Sequence, residues 1–200
     1  VDPSIKVTVN IQDGTPVRKG DIVFVAAGPV RSLLIAERTM LNIMQRMSGV
    51  ATMTARYQKE LEGLHTKVLD TRKTTPGLRV FEKYAVTCGG GKNHRFNLSD
   101  AAMLKDNHID ACGSITKAVS TLRSKIGHTV KIEVETRNLD EVAEALATGC
   151  EIIMLDNMDC ETMKKAVEMT SGKALLEASG NITAETIRKV AETGVDIISI

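Results

Sequence analysis

Aromatic side chains are scarce: 200 residues hold no Trp, two Tyr and three Phe. That argues against a nucleic-acid platform built by stacking bases on rings. An excess of either charge is missing too, with 26 Lys and Arg against 25 Asp and Glu and a net charge of +1. Bulk electrostatics therefore gives no footprint for nucleic acid or an anionic membrane, and any basic function must come from local clustering. No apolar run approaches the roughly 20 residues of a membrane span, and no signal-like segment opens the sequence. The four cysteines, Cys88, Cys112, Cys150 and Cys160, form no CxxC pair, which predicts free thiols in a reducing compartment. Together these absences predict a cytoplasmic protein with no nucleic-acid or membrane partner. What remains is rich in Val, Ile, Leu, Ala and Met, enough for one sizeable core.

The order of apolar patterns predicts the fold class. Residues 5–11 alternate, residues 21–25 and 30–35 are apolar runs, and a turn lies at Asp13-Gly14. The beginning therefore reads as a small β-rich piece. Residues 37–61 carry apolar side chains at helical spacing, with one Gly and no Pro, and read as a long helix with Arg38 in its first turn. From residue 66 the pattern alternates strand and helix. Strands are expected at 67–70, 101–105, 130–134, 152–155, 174–176 and 195–200, and helices at 78–88, 114–126, 139–147, 160–169 and 184–192. The last four strands recur about every 21 to 23 residues and are almost wholly apolar, as parallel strands covered on both faces should be.

Polar residues stand at the C-terminal ends of nearly all these strands: Asp70 and Arg72, Lys105, Glu133 and Glu135, Asp156, Glu177. In an α/β barrel those ends converge on one mouth, whereas an open doubly wound sheet gathers ligands only at its switch point. No GxGxxG follows the first strand, so the barrel is favoured.

The candidate chemistry starts at Asp70-Thr71-Arg72-Lys73-Thr74-Thr75-Pro76-Gly77, a strand end that breaks into two cations, hydroxyls and a Pro-Gly turn and suits an anion. Gly89-Gly90-Gly91-Lys92-Asn93-His94-Arg95 offers glycines for close backbone approach to a ligand and planar donors for a carboxylate. Lys105 caps a strand and could serve as a Schiff-base nucleophile, a phosphate ligand or an ion-pair partner. Glu133 and Glu135 alternate with Ile132 and Val134, so both carboxylates share a face, and Asp156 closes the next strand. Such acids suit sugar hydroxyls, a divalent metal or a carbocation-like sugar, or one of them simply neutralises Lys105 or Arg72. Ser179-Gly180-Asn181, running into a helix expected near residue 183, has the makings of an anion nest.

DTRKTTPG, GGGKNHR, LKDNH, KIEVE, IMLDN and LEASGNI occur here in the order and approximate spacing of quinolinate phosphoribosyltransferases, and the sequence resembles that family from about residue 37 to 200. The resemblance implies an incomplete TIM-like α/β barrel over residues 41–200, preceded by part of an N-terminal α/β sandwich domain over residues 1–40. It implies a homodimer or higher homo-oligomer in which Arg38 reaches a neighbouring site. The implied reaction joins quinolinate to phosphoribosyl pyrophosphate (PRPP) with Mg2+, giving nicotinate mononucleotide, pyrophosphate and CO2 in NAD biosynthesis.

By resemblance, Arg72, His94, Arg95 and Lys105 form the quinolinate clamp, with Arg38 from a neighbour. Lys73 meets PRPP, Glu135 and Asp156 hold its ribose and metal, and Ser179, Gly180 and Asn181 receive a phosphate. Lys73, Lys105, Glu135 and Asp156 are the expected catalytic set. Two departures stand out: the sequence begins inside the expected first domain and stops short of the family's usual end, and Asn181 replaces a Gly of many relatives. The alternatives are a related phosphoribosyltransferase acting on nicotinate or another base, a phosphosugar aldolase using Lys105, and a non-enzymatic binding role.

Overall fold

The computed structural model describes residues 2–200, which divide into two compact units: residues up to 55 with 74–91, and residues 56–73 with 92–200. In the first unit β1 (Lys6–Val9) pairs antiparallel with β2 (Phe24–Ala27), Lys6 opposite Ala27. The third apolar run is not a strand. Residues 30–35 are the opening of α1 (Val30–Glu60), because the Pro29 carbonyl already accepts a helical bond from the Leu33 N–H at 3.1 Å and no breaker separates this run from the helical pattern that follows. Short apolar runs are ambiguous in period, and length decides them. Arg38 accordingly lies more than two turns inside α1, and it is exposed.

Within this unit α2 (Arg79–Cys88) is tied down by Glu82. Its carboxylate accepts from Arg46 Nε at 3.0 Å and Nη2 at 2.8 Å and from the Thr75 hydroxyl at 2.7 Å. These bonds outweigh burial and draw the Glu82 pKa down. Gly89 and Gly91, after α2, are required by packing. A Cβ on Gly89 would collide with the Ala51 carbonyl and come within 2.6 Å of Thr54 Cβ, and one on Gly91 within 2.7 Å of Thr54 Cγ2. Their bareness lets the chain run against α1, a steric reason for these glycines that needs no ligand.

The second unit is a six-stranded parallel sheet of β3 (Lys67–Leu69), β4 (Ala102–Leu104), β5 (Ile132–Thr136), β6 (Ile152–Asp156), β7 (Leu175–Ser179) and β8 (Ile197–Ser199). The strand order β3-β8-β7-β6-β5-β4 runs in barrel sequence, with β3 beside the last strand. β3 and β4 are edges, so the barrel is incomplete. Ile132, Val134, Ile153, Leu155 and Ile198 are wholly buried along these strands, Val195 just before β8, and Ile115, Val142 and Ile187 cover them from the helices. Burial on both faces explains why the strands read as unbroken apolar runs.

Four helices alternate with the later strands: α4 (Ile115–Arg123), α5 (Leu139–Ala147), α6 (Cys160–Thr170) and α7 (Ile187–Ala191). Ser114, Asn138 and Asp159 start the first three by accepting the backbone N–H three residues on, at 3.1, 2.9 and 2.7 Å, the usual way to satisfy an orphan donor. A short extra helix, α3 (Asp106–Cys112), follows Lys105 directly and is not expected from the apolar pattern. It is seven residues long, too short for periodicity to register. Conversely α7 begins at Ile187, later than expected, so its amides do not follow Ser179-Gly180-Asn181 directly. Among the described residues no helix is long and apolar enough to cross a membrane.

Candidate active site

Parallel register decides which side chains meet. Glu135 pairs with Met154, Met154 with Glu177, Asp156 with Ser179 and Ser179 with Ser199, so the C-terminal ends of β5 to β8 form level rows. At this rim a cavity of about 220 Å³ is lined by Thr71, Arg72, Lys73, His94, Arg95, Lys105, Glu135, Asp156, Glu177 and Ser179, with Met103, Met154 and Ser199. Eight of the residues expected at the site are therefore brought together: Arg72, Lys73, His94, Arg95, Lys105, Glu135, Asp156 and Ser179. Gly180 and Asn181 continue from Ser179 in the adjoining turn. Arg38 is on the other unit.

The cations are placed by specific bonds. Asp70, nearly buried at the end of β3, accepts the His94 backbone N–H at 2.8 Å and so joins the first two motifs. Arg95 donates from Nη1 to the Ala101 carbonyl at 3.3 Å, and its Nη2 lies 3.1 Å from Met103 Sδ. Burial, then the neighbouring Arg72 charge, lower the Arg95 pKa; two such cations held close favour an anionic ligand. Lys105 stands at the N-cap of α3, with its N–H on His108 Nδ1 at 3.0 Å. Its Nζ meets Glu135 Oε2 at 2.6 Å, the lysine side chain 47% exposed and the glutamate 13%. One of the acids thus neutralises Lys105, and a half-exposed, ion-paired ammonium is unlike the apolar setting that prepares a Schiff-base lysine.

Beneath the cations lies a feature that the sequence pattern did not single out. His94 Nε2 is 3.2 Å from Glu133 Oε2 and 3.4 Å from Glu177 Oε2, and both carboxylates are 1% exposed. Glu177 is a lone charge within the apolar run of β7, and its place near the end of a strand gave no sign of the buried pairing with His94. The two acids pull His94 up, to about 9. Nδ1 opposes this, because it accepts the Arg95 N–H at 2.7 Å and can do so only unprotonated. One neutral hydrogen bond contributes about 1 kcal/mol, less than two buried anions, so the upward pull prevails. Burial in turn raises the pKa of Glu133. His94, Glu133 and Glu177 also have metal-ligand types within 4.8 Å of one another, but a mixed imidazole and carboxylate set suits a transition metal better than Mg2+. Glu135 and Asp156, oxygen donors at the open rim, fit Mg2+ held jointly with a phosphate-bearing ligand.

Beyond the rim, Asp156 Oδ1 accepts from Asn157 Nδ2 at 3.0 Å, and Asn157 Oδ1 accepts from Asn181 Nδ2 at 2.9 Å. Asn157 was likewise absent from the expected site.

Comparison with known proteins agrees with this arrangement. The family described as Quinolinate phosphoribosyl transferase, C-terminal domain, matches residues 50–200, and the corresponding N-terminal domain matches residues 1–48. A probable nicotinate-nucleotide pyrophosphorylase [carboxylating] of Synechocystis is 50% identical over 100% of this chain and 68% of its own length. One from Bacillus subtilis is 44% identical over 100% and 69%. Among solved structures, NadC from Streptococcus pyogenes superposes with a TM-score of 0.95 at 47% identity, covering 100% of this chain and 70% of that one. The nicotinate-nucleotide pyrophosphorylase from Francisella tularensis gives 0.95 at 46%, covering 100% and 71%. With both family domains matched in order and half the residues shared with a relative, the chain belongs to the quinolinate phosphoribosyltransferase family.

Proposed function

We propose that this chain transfers the phosphoribosyl group of PRPP to quinolinate with decarboxylation, yielding nicotinate mononucleotide, pyrophosphate and CO2 for NAD biosynthesis in the cytoplasm. The observation that carries this reading is the convergence of Arg72, Arg95 and Lys105, from three separate segments, on one cavity that also receives Glu135 and Asp156. A pyridine dicarboxylate carries two charges, and single exposed ion pairs contribute only about 0–1 kcal/mol. Several preorganised donors in a partly dry cavity bind it far better.

In this reading Arg72, Arg95 and Lys105 hold the quinolinate carboxylates, His94 backs them from beneath by neutralising the buried acids, and Arg38 of a second copy completes the clamp in a homodimer. Lys73 and the Ser179-Gly180-Asn181 turn take the phosphates of PRPP. Glu135 and Asp156 face the ribose and, together with the pyrophosphate, would hold Mg2+, which when bound offsets the charge that builds on the leaving pyrophosphate. The pyridine nitrogen forms its bond to the anomeric carbon as the bond to pyrophosphate breaks, and the two acids stabilise the positive ribose electrostatically. CO2 then departs, the electron pair of the broken C–C bond stays on the ring carbon beside the positively charged nitrogen, which stabilises it, and a proton from solvent takes the place of the carboxylate, so the protein's main contribution is position.

The reading is tested by incubating the chain with carboxyl-labelled quinolinate, PRPP and Mg2+. Labelled CO2 released in step with nicotinate mononucleotide supports it, and product from nicotinate but none from quinolinate overturns it.

A further inference from the structure

Asn157 and Asn181 form a chain of side-chain amides between two parts of the rim that the proposed reaction uses separately. Asn181 Nδ2 donates to Asn157 Oδ1 at 2.9 Å, and Asn157 Nδ2 donates to Asp156 Oδ1 at 3.0 Å. The backbone is built to hold them. The Asn157 N–H donates to the Ser179 carbonyl at 2.9 Å, and both asparagines sit in the left-handed region, at φ 52° and 53°, which Asn tolerates better than other side chains. Gly180, at φ 103°, leaves the space that the Asn157 amide fills: a Cβ there would stand 2.5 Å from Asn157 Cγ.

We propose that Asn157 and Asn181 are positioning residues that tether the turn after β7 to the carboxylate of Asp156, so that seating a phosphate at the turn and orienting Asp156 toward ribose and metal are one event. An amide has the polarity for this: its oxygen accepts from the turn's donor while its N–H donates a hydrogen bond to the carboxylate. Asp156 keeps its second oxygen for the ligand, and the amide bond fixes the rotation of the carboxylate. The proposal rests on the reading that this rim takes PRPP.

The test uses Asn157→Gly and Asn181→Gly, alone and combined. Glycine accepts the positive φ at both positions, so each change removes the amide without straining the backbone. Calorimetry with PRPP and Mg2+ should show each single variant weakened about fivefold to tenfold, the loss expected for a neutral hydrogen bond. The double variant should be no weaker than Asn157→Gly alone, because either break opens the same chain. The Mg2+ concentration for half-maximal PRPP binding should rise in Asn181→Gly, although residue 181 holds no metal. Quinolinate affinity should stay within twofold. Unchanged PRPP affinity in the single variants, or losses that simply multiply in the double variant, overturns the tether. A wild-type chain that binds no PRPP overturns the functional reading instead.

Discussion

Replacing His94 by Leu fills much the same volume but removes the imidazole nitrogen that stands 3.2 Å from Glu133 Oε2 and 3.4 Å from Glu177 Oε2. Both carboxylates are 1% exposed, so water cannot replace the lost partner. Raising His94 from its ordinary 6.5 to about 9 corresponds to roughly 3 kcal/mol at about 1.4 kcal/mol per pKa unit. Stripping one partner from a buried charge cluster costs about 3–5 kcal/mol, and the two routes agree. The sign with pH follows. The histidine is charged in the folded state and gains a partner there, so its contribution is fully present below pH 6.5 and is lost as pH rises through about 9. The variant lacks this contribution at every pH, so the penalty is greatest at pH 5, where the wild type has it in full, and shrinks by pH 8 as His94 approaches its raised pKa. Urea unfolding of wild type and His94→Leu at pH 5, 6.5 and 8 measures this directly. A difference below 1 kcal/mol at pH 5, or one that does not change with pH, would refute the buried charge cluster.

Three further outcomes follow from the rim. Arg95→Ala should weaken quinolinate by about 2–4 kcal/mol, some thirtyfold to a thousandfold, because a partly buried cation is removed from a bound carboxylate; calorimetry showing unchanged affinity removes Arg95 from the clamp. Glu135→Gln should lower kcat more than it weakens quinolinate, since its effect belongs to the charged ribose of the transition state, and equal losses in steady-state kinetics and equilibrium binding would contradict that role. Gly180→Ala must both hold Ala at φ 103° and push the Asn157 amide aside, so a loss of about 2–4 kcal/mol in urea unfolding is expected; a change under 0.5 kcal/mol would show that the turn repacks freely.

Much of this was legible in the residues because burial and period coincide. Strands β5 and β6 are apolar runs that end near acids, and parallel pairing turns strand ends into one rim, so Glu135 and Asp156 could be placed together with Arg72 and Lys105 from strand order alone. What stayed hidden had weak local signals. Residues 30–35 carry no feature that separates strand from helix until the uninterrupted length of α1 is counted. The glycines at 89 and 91 look like a ligand loop, yet their requirement is steric and comes from Ala51 and Thr54, nearly forty residues away in sequence. Asn157 escaped, and Glu177 was read only as one more strand-end acid, because their roles depend on partners from elsewhere in the chain: a buried acid acquires meaning only when His94 is seen beside it, and an amide only when both of its ends are occupied.

The central claim is that cations distant in sequence meet to hold a ligand with two carboxylates. Parallel titrations of the chain with quinolinate and with nicotinate, which lacks the second carboxylate, test it most directly. Quinolinate binding at least tenfold tighter, with the preference collapsing in Arg95→Ala, is the predicted result. Equal affinity for the two acids in the unaltered protein would contradict the account.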